Sequence, residues 1–137
     1  MTDGLFSGFD VSISGMAAER TRLDVIASNI ANANTVGPDG PYNRKQVTFK
    51  EILDGEGVVG GVAVQSIVPD LKSEHPRVRI PGHPYADSEG FVRLPNVNIM
   101  FEMVDLASAR RSFVSNLQAF RAYRAMAKQT VSNMSTR

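Results

Sequence analysis

Residues 98–134 contain neither glycine nor proline, and their apolar positions recur at alternating steps of four and three. Ile99, Met103, Leu106, Phe113, Leu117, Phe120, Ala127, Val131 and Met134 fall on that frame, with Arg110 and Arg124 in the two remaining slots. A helix carrying the whole pattern is about 50 Å long at roughly 1.5 Å per residue. No core in a chain of 137 residues needs such a helix along its full length. The stripe is expected to meet another helix.

The chain offers one candidate near its start. Phe9, Ile13, Met16, Leu23, Ala27 and Ile30 keep the same rhythm, with Arg20 in the leftover slot. Ser12 or Ser14 is a candidate cap for the start of that helix, although Gly15 weakens either choice. The many small residues here (Gly15, Ala17, Ala18, Ala27, Ala31) favour close approach of a neighbouring backbone. The helix is expected to fail between Asn29 and Thr35, where Asn29, Asn32 and Asn34 compete for backbone hydrogen bonds and Gly37-Pro38 follows. Those three amides either cap the frayed end or bridge to a neighbour's backbone, because an amide both donates and accepts.

Between Val36 and Gly90 the composition changes: eight of the eleven glycines and six of the seven prolines lie there. Pro38-Asp39-Gly40-Pro41 is a turn signal. Short strands are expected over residues 42–49, 62–67, 78–80 and 91–94, with an acidic, glycine-rich loop at 51–61. The fold class expected is α+β: long N- and C-terminal helices (residues 1–35 and 98–137) paired as a coiled coil. A small glycine-rich β region (36–97) is inserted between them, including the stretch 51–76. The second helix is longer by at least two turns, so pairing within the chain leaves part of its stripe without cover.

Signatures of chemistry are sparse. The chain has no cysteine, which excludes disulfides, zinc–thiolate sites and a thiol nucleophile. Neither a G-x-G-x-x-G nor a G-x-x-x-x-G-K-[ST] motif occurs. His75 and His83, with Asp70, Glu74 and Asp87 nearby, hold the right atoms for a divalent metal, but on loop spacing without a rigid element. His83 reads better as a turn residue packed on Tyr85. Ser73 with His75 and Asp70 lacks any sign of a pocket, and the carboxylate pairs Asp54/Glu56 and Asp87/Glu89 fall in turns. No catalytic residue, metal ligand or cofactor is expected, and neither nucleic acid nor a small-molecule substrate. The formal charge of +1 agrees with that. The cations Arg110, Arg111, Arg121, Arg124, Lys128 and Arg137 form a local excess spaced around the helix, read as a solvated face. Arg110 and Arg124 on the apolar frame argue for protein partners over a membrane surface. The first ten residues show no cleavable signal pattern, and no stretch is long enough to span a bilayer.

The run from Ser14-Gly15-Met16-Ala17-Ala18-Glu19-Arg20 through Leu23-Asp24-Val25-Ile26-Ala27-Ser28-Asn29-Ile30-Ala31-Asn32 resembles the N-terminal signature of the axial proteins of the bacterial flagellum. Within that family, the proximal-rod subunits are also resembled at Pro41-Tyr42-Asn43-Arg44-Lys45-Gln46-Val47-Thr48-Phe49, at His83-Pro84-Tyr85-Ala86-Asp87 and at Leu94-Pro95-Asn96-Val97-Asn98 leading to Glu102-Met103-Val104-Asp105. The chain departs from the pattern at Phe113, where the family usually has Tyr, and over residues 132–137.

The resemblance implies a structural subunit of the proximal rod. It would assemble through its terminal helices into the axial tube that transmits torque and surrounds the export channel. Implied partners are copies of itself, other rod subunits and the export-gate/MS-ring adaptor. The implied location is the basal body in the periplasmic space, reached by flagellar type III export without a cleaved signal. The expected assembly interface comprises Phe9, Ile13, Met16, Leu23 and Ile30 on the first helix and Met103, Leu106, Phe113, Leu117 and Phe120 on the second. Asn29, Asn32 and Asn34 are expected to hold the first helix end to a neighbour. The alternative is a helical adaptor or chaperone-like module that binds one partner through the same stripe.

Overall fold

The computed structural model describes residues 2–53 and 59–135. Helix α1 spans Thr2–Ala31 and helix α2 spans Ile99–Ser135, with six short strands between them. Asn98 caps α2: its Oδ1 accepts from the backbone N–H of Met100 (3.0 Å) and Phe101 (3.3 Å), donors that the first helical turn leaves without partners. At the other end of the β region, α1 stops where expected. Asn32 Nδ2 folds back to the carbonyl of Ser28 (2.8 Å), and Thr35 Oγ1 donates to Asn32 Oδ1 (3.2 Å).

The start of α1 corrects the sequence reading. The helix already runs from Thr2, so Ser12 and Ser14 lie in its interior rather than at its cap. Their hydroxyls bond back to the preceding turn, Ser12 Oγ to the Gly8 carbonyl and Ser14 Oγ to that of Val11, both at 2.9 Å.

The two helices run antiparallel in a heptad register. A Cβ added to Gly8 would lie 2.5 Å from the Tyr123 ring, and one added to Gly15 would lie 2.7 Å from the Asn116 amide. Asn29 bonds Glu102 directly. Positions 8, 15 and 29 thus face 123, 116 and 102, with equal steps on both helices. At the first two the opposing side chain occupies the space of a Cβ, so any larger residue there needs the Tyr123 ring or the Asn116 amide to move. Gly8→Val is expected to lower stability by about 1–3 kcal/mol through overpacking, read from the urea midpoint. Adding Tyr123→Ala should recover the steric part; an additive loss would mean that the ring is not the obstacle.

This register also corrects the expected seam. The rows that face the partner helix carry Ser12, Gly15, Ile26 and Asn29 on α1 and Glu102, Ala109 and Asn116 on α2, each one position before the apolar frame. Small and polar residues fill the seam, and the bulky row lies beside it. Met16, Leu23, Ile30, Phe113, Leu117 and Phe120 are half-buried on its flank, whereas Ile13, Met103 and Leu106 are exposed. At the far end Phe9 meets Phe120 edge-on, with ring centroids 5.3 Å apart, and lies 6.0 Å from Tyr123.

The β region is three separate two-stranded ladders. β1 (Val36–Gly37) pairs with β2 (Gly40–Pro41) around the expected turn, β3 (Lys45–Leu53) with β4 (Val59–Pro69), and β5 (Arg77–Arg79) with β6 (Phe91–Arg93), all antiparallel. The central ribbon is longer than expected. Strand pairing reaches Leu53 and resumes at Val59, so much of the expected loop at 51–61 is ladder. Asp54 and Glu56 lie outside the described residues. The ribbon lies along α1, where the Val62 N–H donates to Ser14 Oγ at 3.1 Å. Asp87 latches the β5–β6 turn by accepting from the N–H of Phe91 (2.9 Å) and Glu89 (3.0 Å) and from Arg77 (2.7 Å).

These bonds, chiefly that from Phe91 and then that from Arg77, hold the Asp87 carboxyl below the usual carboxylate range. A folded pKa below the unfolded one makes the latch fully present above the unfolded value, about 3.9, and loses it as pH falls through the folded value. The Phe91 and Glu89 amide resonances should therefore shift together only in acid, below about pH 3.9. A shift centred above that pH would show that the carboxylate is not the latch.

Candidate assembly surface and its internal lock

A buried polar lock joins the closed end of the helix pair to the ribbon. Glu102 is 0% exposed and Asn29 is 1% exposed. Asn29 Nδ2 donates to Glu102 Oε2 (3.0 Å) and to the Lys45 carbonyl (2.9 Å), while its Oδ1 accepts from the Lys45 N–H (2.9 Å) and the Tyr42 hydroxyl (3.0 Å). Arg44 Nε donates to Glu102 Oε1, and Arg44 Nη2 reaches Asp105 Oδ2 at 3.4 Å. Arg22 approaches the other Asp105 oxygen at 3.9 Å. Asn96 ties the connecting loops to this point, accepting from the Arg44 N–H (2.7 Å) and donating to the Asp70 carbonyl (2.9 Å). The buried carboxylate thus has a cation and an amide against its two oxygens, the condition under which a buried charge is tolerated.

Asn29, expected to hold the end of the first helix to a neighbour, has both its carbonyl and its amine engaged inside the chain. Asn32 is engaged in capping, and Asn34 is exposed. Arg44 and Glu102 were not singled out from the sequence. Glu102 reads there as an acidic residue in the first turn of a helix, which the helix dipole alone would favour. Its partner lies 58 positions earlier in the chain.

The histidines have local roles. His75 bridges the Leu94 carbonyl (Nδ1, 2.8 Å) and Asn43 Oδ1 (Nε2, 3.0 Å), pinning β6 to the start of the ribbon. His83 Nδ1 accepts from the Tyr85 N–H at 3.2 Å, with the two rings 5.9 Å apart. Asp70 accepts from the hydroxyl and N–H of Ser73 and from the Lys72 N–H, bonds that lower its pKa and make it a turn residue. Among the described residues no group of three or more histidines or carboxylates is placed to hold a metal ion, and no helix is long and apolar enough to cross a membrane.

The outer surface is the other half of the site. Exposed large apolar side chains run the length of α2, including Met100, Phe101, Met103, Val104, Val131 (66%) and Met134 (74%). Arg110, Arg111, Arg121, Arg124 and Lys128 are also exposed, and none forms an ion pair among the described residues. Among the described residues the buried apolar set is small by contrast: Ala18, Val25, Ile26, Ala33, Val92 and Ala109.

An antiparallel helix pair of N- and C-terminal segments, small-lined within, leaves bulky apolar rows on the outer surface of the chain. Sequence comparison supplies the class. Residues 9–38 match the family described as flagella basal body rod protein, and residues 88–134 match the C-terminal family of the flagellar basal body rod proteins FlgEFG. The flagellar basal-body rod protein FlgC of Salmonella typhimurium is 41% identical over 93% of this chain and 96% of its own length. FlgC of Borreliella burgdorferi is 38% identical over 90% and 93%, and that of Aquifex aeolicus 39% identical over 85% and 87%. The chain belongs to the FlgC family of flagellar basal-body rod proteins.

Proposed function

We propose that this chain is a structural, non-catalytic subunit of the flagellar rod, and that it assembles by burying against neighbouring subunits the bulky rows its own helix pair leaves outside. One observation carries the reading: in both helices the apolar frame flanks the seam instead of filling it. The accessible surface supports it, at 9852 Å² against about 7,000 Å² for a compact monomer of this mass. The interface set is Phe9, Ile13, Met16, Leu23 and Ile30 with Met103, Leu106, Phe113, Leu117 and Phe120. Within the rod its place is the proximal segment, beside other rod subunits and the export-gate/MS-ring adaptor. It arrives by the flagellar export route without a cleaved signal, transmits torque and helps enclose the channel. A closed adaptor would need only one docking face; long bulky rows on two helices suit repeated contacts better.

The deciding experiment isolates basal bodies from cells whose sole copy of the rod subunit is this chain and locates it by cryo-electron microscopy. Density for the helix pair in the proximal rod supports the reading; its absence from otherwise complete rods refutes it. A related expectation concerns order. The lock end holds itself together, but the Phe9–Tyr123 end relies on flanks that neighbours cover. Far-ultraviolet circular dichroism of the free chain should show less helix than the 30 and 37 residues of α1 and α2 require. Full helicity in dilute solution would show that the two helices satisfy each other.

A further inference from the structure

We propose that the cleft between the β3–β4 ribbon and α1 receives the basic C-terminal end of α2 from a second copy of this chain. The inference rests on the assembly reading above and specifies which two faces meet. The cleft is walled by Val11, Ala18, Phe49 and Val62, and among the described residues its charged lining is Glu19 and Glu51. One Glu19 carboxylate oxygen is buried without a hydrogen-bond donor, 3.6 Å from its neighbour Arg22. Glu51 is exposed and makes no ion pair among the described residues. Glu19 is thus neutralised by Arg22, and the exposed Glu51 carboxylate is the charge left to a guest; apolar walls with that charge at the rim suit a guest that is itself apolar and cationic.

The far end of α2 has that chemistry. After Asp105 the sequence contains no Asp or Glu, whereas Arg110, Arg111, Arg121, Arg124, Lys128 and Arg137 all follow. Arg124, Lys128 and Val131 fall on one face at steps of four and three, beside the exposed Met134. In the register set by Gly8 with Tyr123, Thr2 lies opposite residue 129, and beyond it Val131 and Met134 are exposed. A chain cannot place this end in its own cleft. The residue of α2 that lines the cleft is Asn116, and Lys128 lies twelve positions further along, about 18 Å away. Two different, complementary faces on each chain make the contact heterologous, the kind that repeats head to tail rather than closing a pair.

The absence of cysteine makes the test clean. Glu51→Cys and Val131→Cys are each at exposed positions. Rods built from a mixture of the two variants and treated with a short bis-maleimide should yield a crosslinked dimer of this chain, at least tenfold above rods of either variant alone. Rods that assemble but give no mixed crosslink overturn this proposal and leave the assembly reading intact. Equal crosslinking in Val131→Cys alone, or a crosslink from it to a different rod protein, also overturns it. If the unmodified chain never enters rods, both readings fail together. Should a cysteine variant not incorporate, charge reversal decides: Glu51→Lys and Lys128→Glu should each reduce incorporation several-fold, and a chain carrying both should recover it. Failure of the double variant to recover counts against the contact.

Discussion

Arg44→Ala lowers the stability of the folded chain by about 3–5 kcal/mol, the cost of leaving a buried charge without its ion partner. Glu102 has no solvent to turn to, and after the substitution only Asn29 still donates to it. For a domain of this length that loss corresponds to roughly 10–15 °C in melting temperature. Thermal unfolding followed at the helix band measures it. Replacing the pair together, as Arg44→Leu with Glu102→Met, removes both charges and should cost markedly less than Arg44→Ala alone. If Arg44→Ala instead costs under about 1 kcal/mol, the range of an exposed pair, water reaches the carboxylate and the lock is not a dry one.

Leu117→Asp abolishes incorporation into rods. Leu117 sits on the flank of the seam, half-buried in the free chain, and in the proposed interface a carboxylate there would face a neighbour's apolar row. Because the site is only partly exposed, Val131→Asp provides the cleaner companion: at 66% exposure it perturbs the free fold little. The expected result is unchanged circular dichroism for Val131→Asp and at least tenfold less of either variant in purified basal bodies. Normal incorporation of both would mean that the apolar rows are not the interface.

These rows show how far the sequence could be read. The existence, type and approximate bounds of both helices followed from the four–three rhythm, the glycine-free stretch and the Gly37-Pro38 stop. What periodicity could not supply was which of two adjacent rows faces the partner inside the chain. Hydrophobicity favours the row of Leu23, Phe113 and Leu117, yet the internal seam belongs to Gly8, Gly15 and Ala109. There close approach matters more than apolar bulk. The Asn29–Glu102–Arg44 lock was illegible for another reason: its members are polar residues from two helices and the loop before β3, brought together only by the chain's long-range path. The ribbon was under-read at Ile52 and Leu53, where a glycine-rich, acidic neighbourhood hides strands held by a single partner.

The antiparallel register has a mechanical consequence. Thr2 and Ser135 lie at the same end of the helix pair, and the polar lock lies at the other. A pull applied to the two termini therefore loads the seam as a zipper, one heptad layer at a time, and reaches the Gly8–Tyr123 contact long before the lock. Force directed along the helices within a rod instead loads every layer in parallel. One set of contacts is thus weak when the chain is drawn apart by its ends and strong when it bears an axial load.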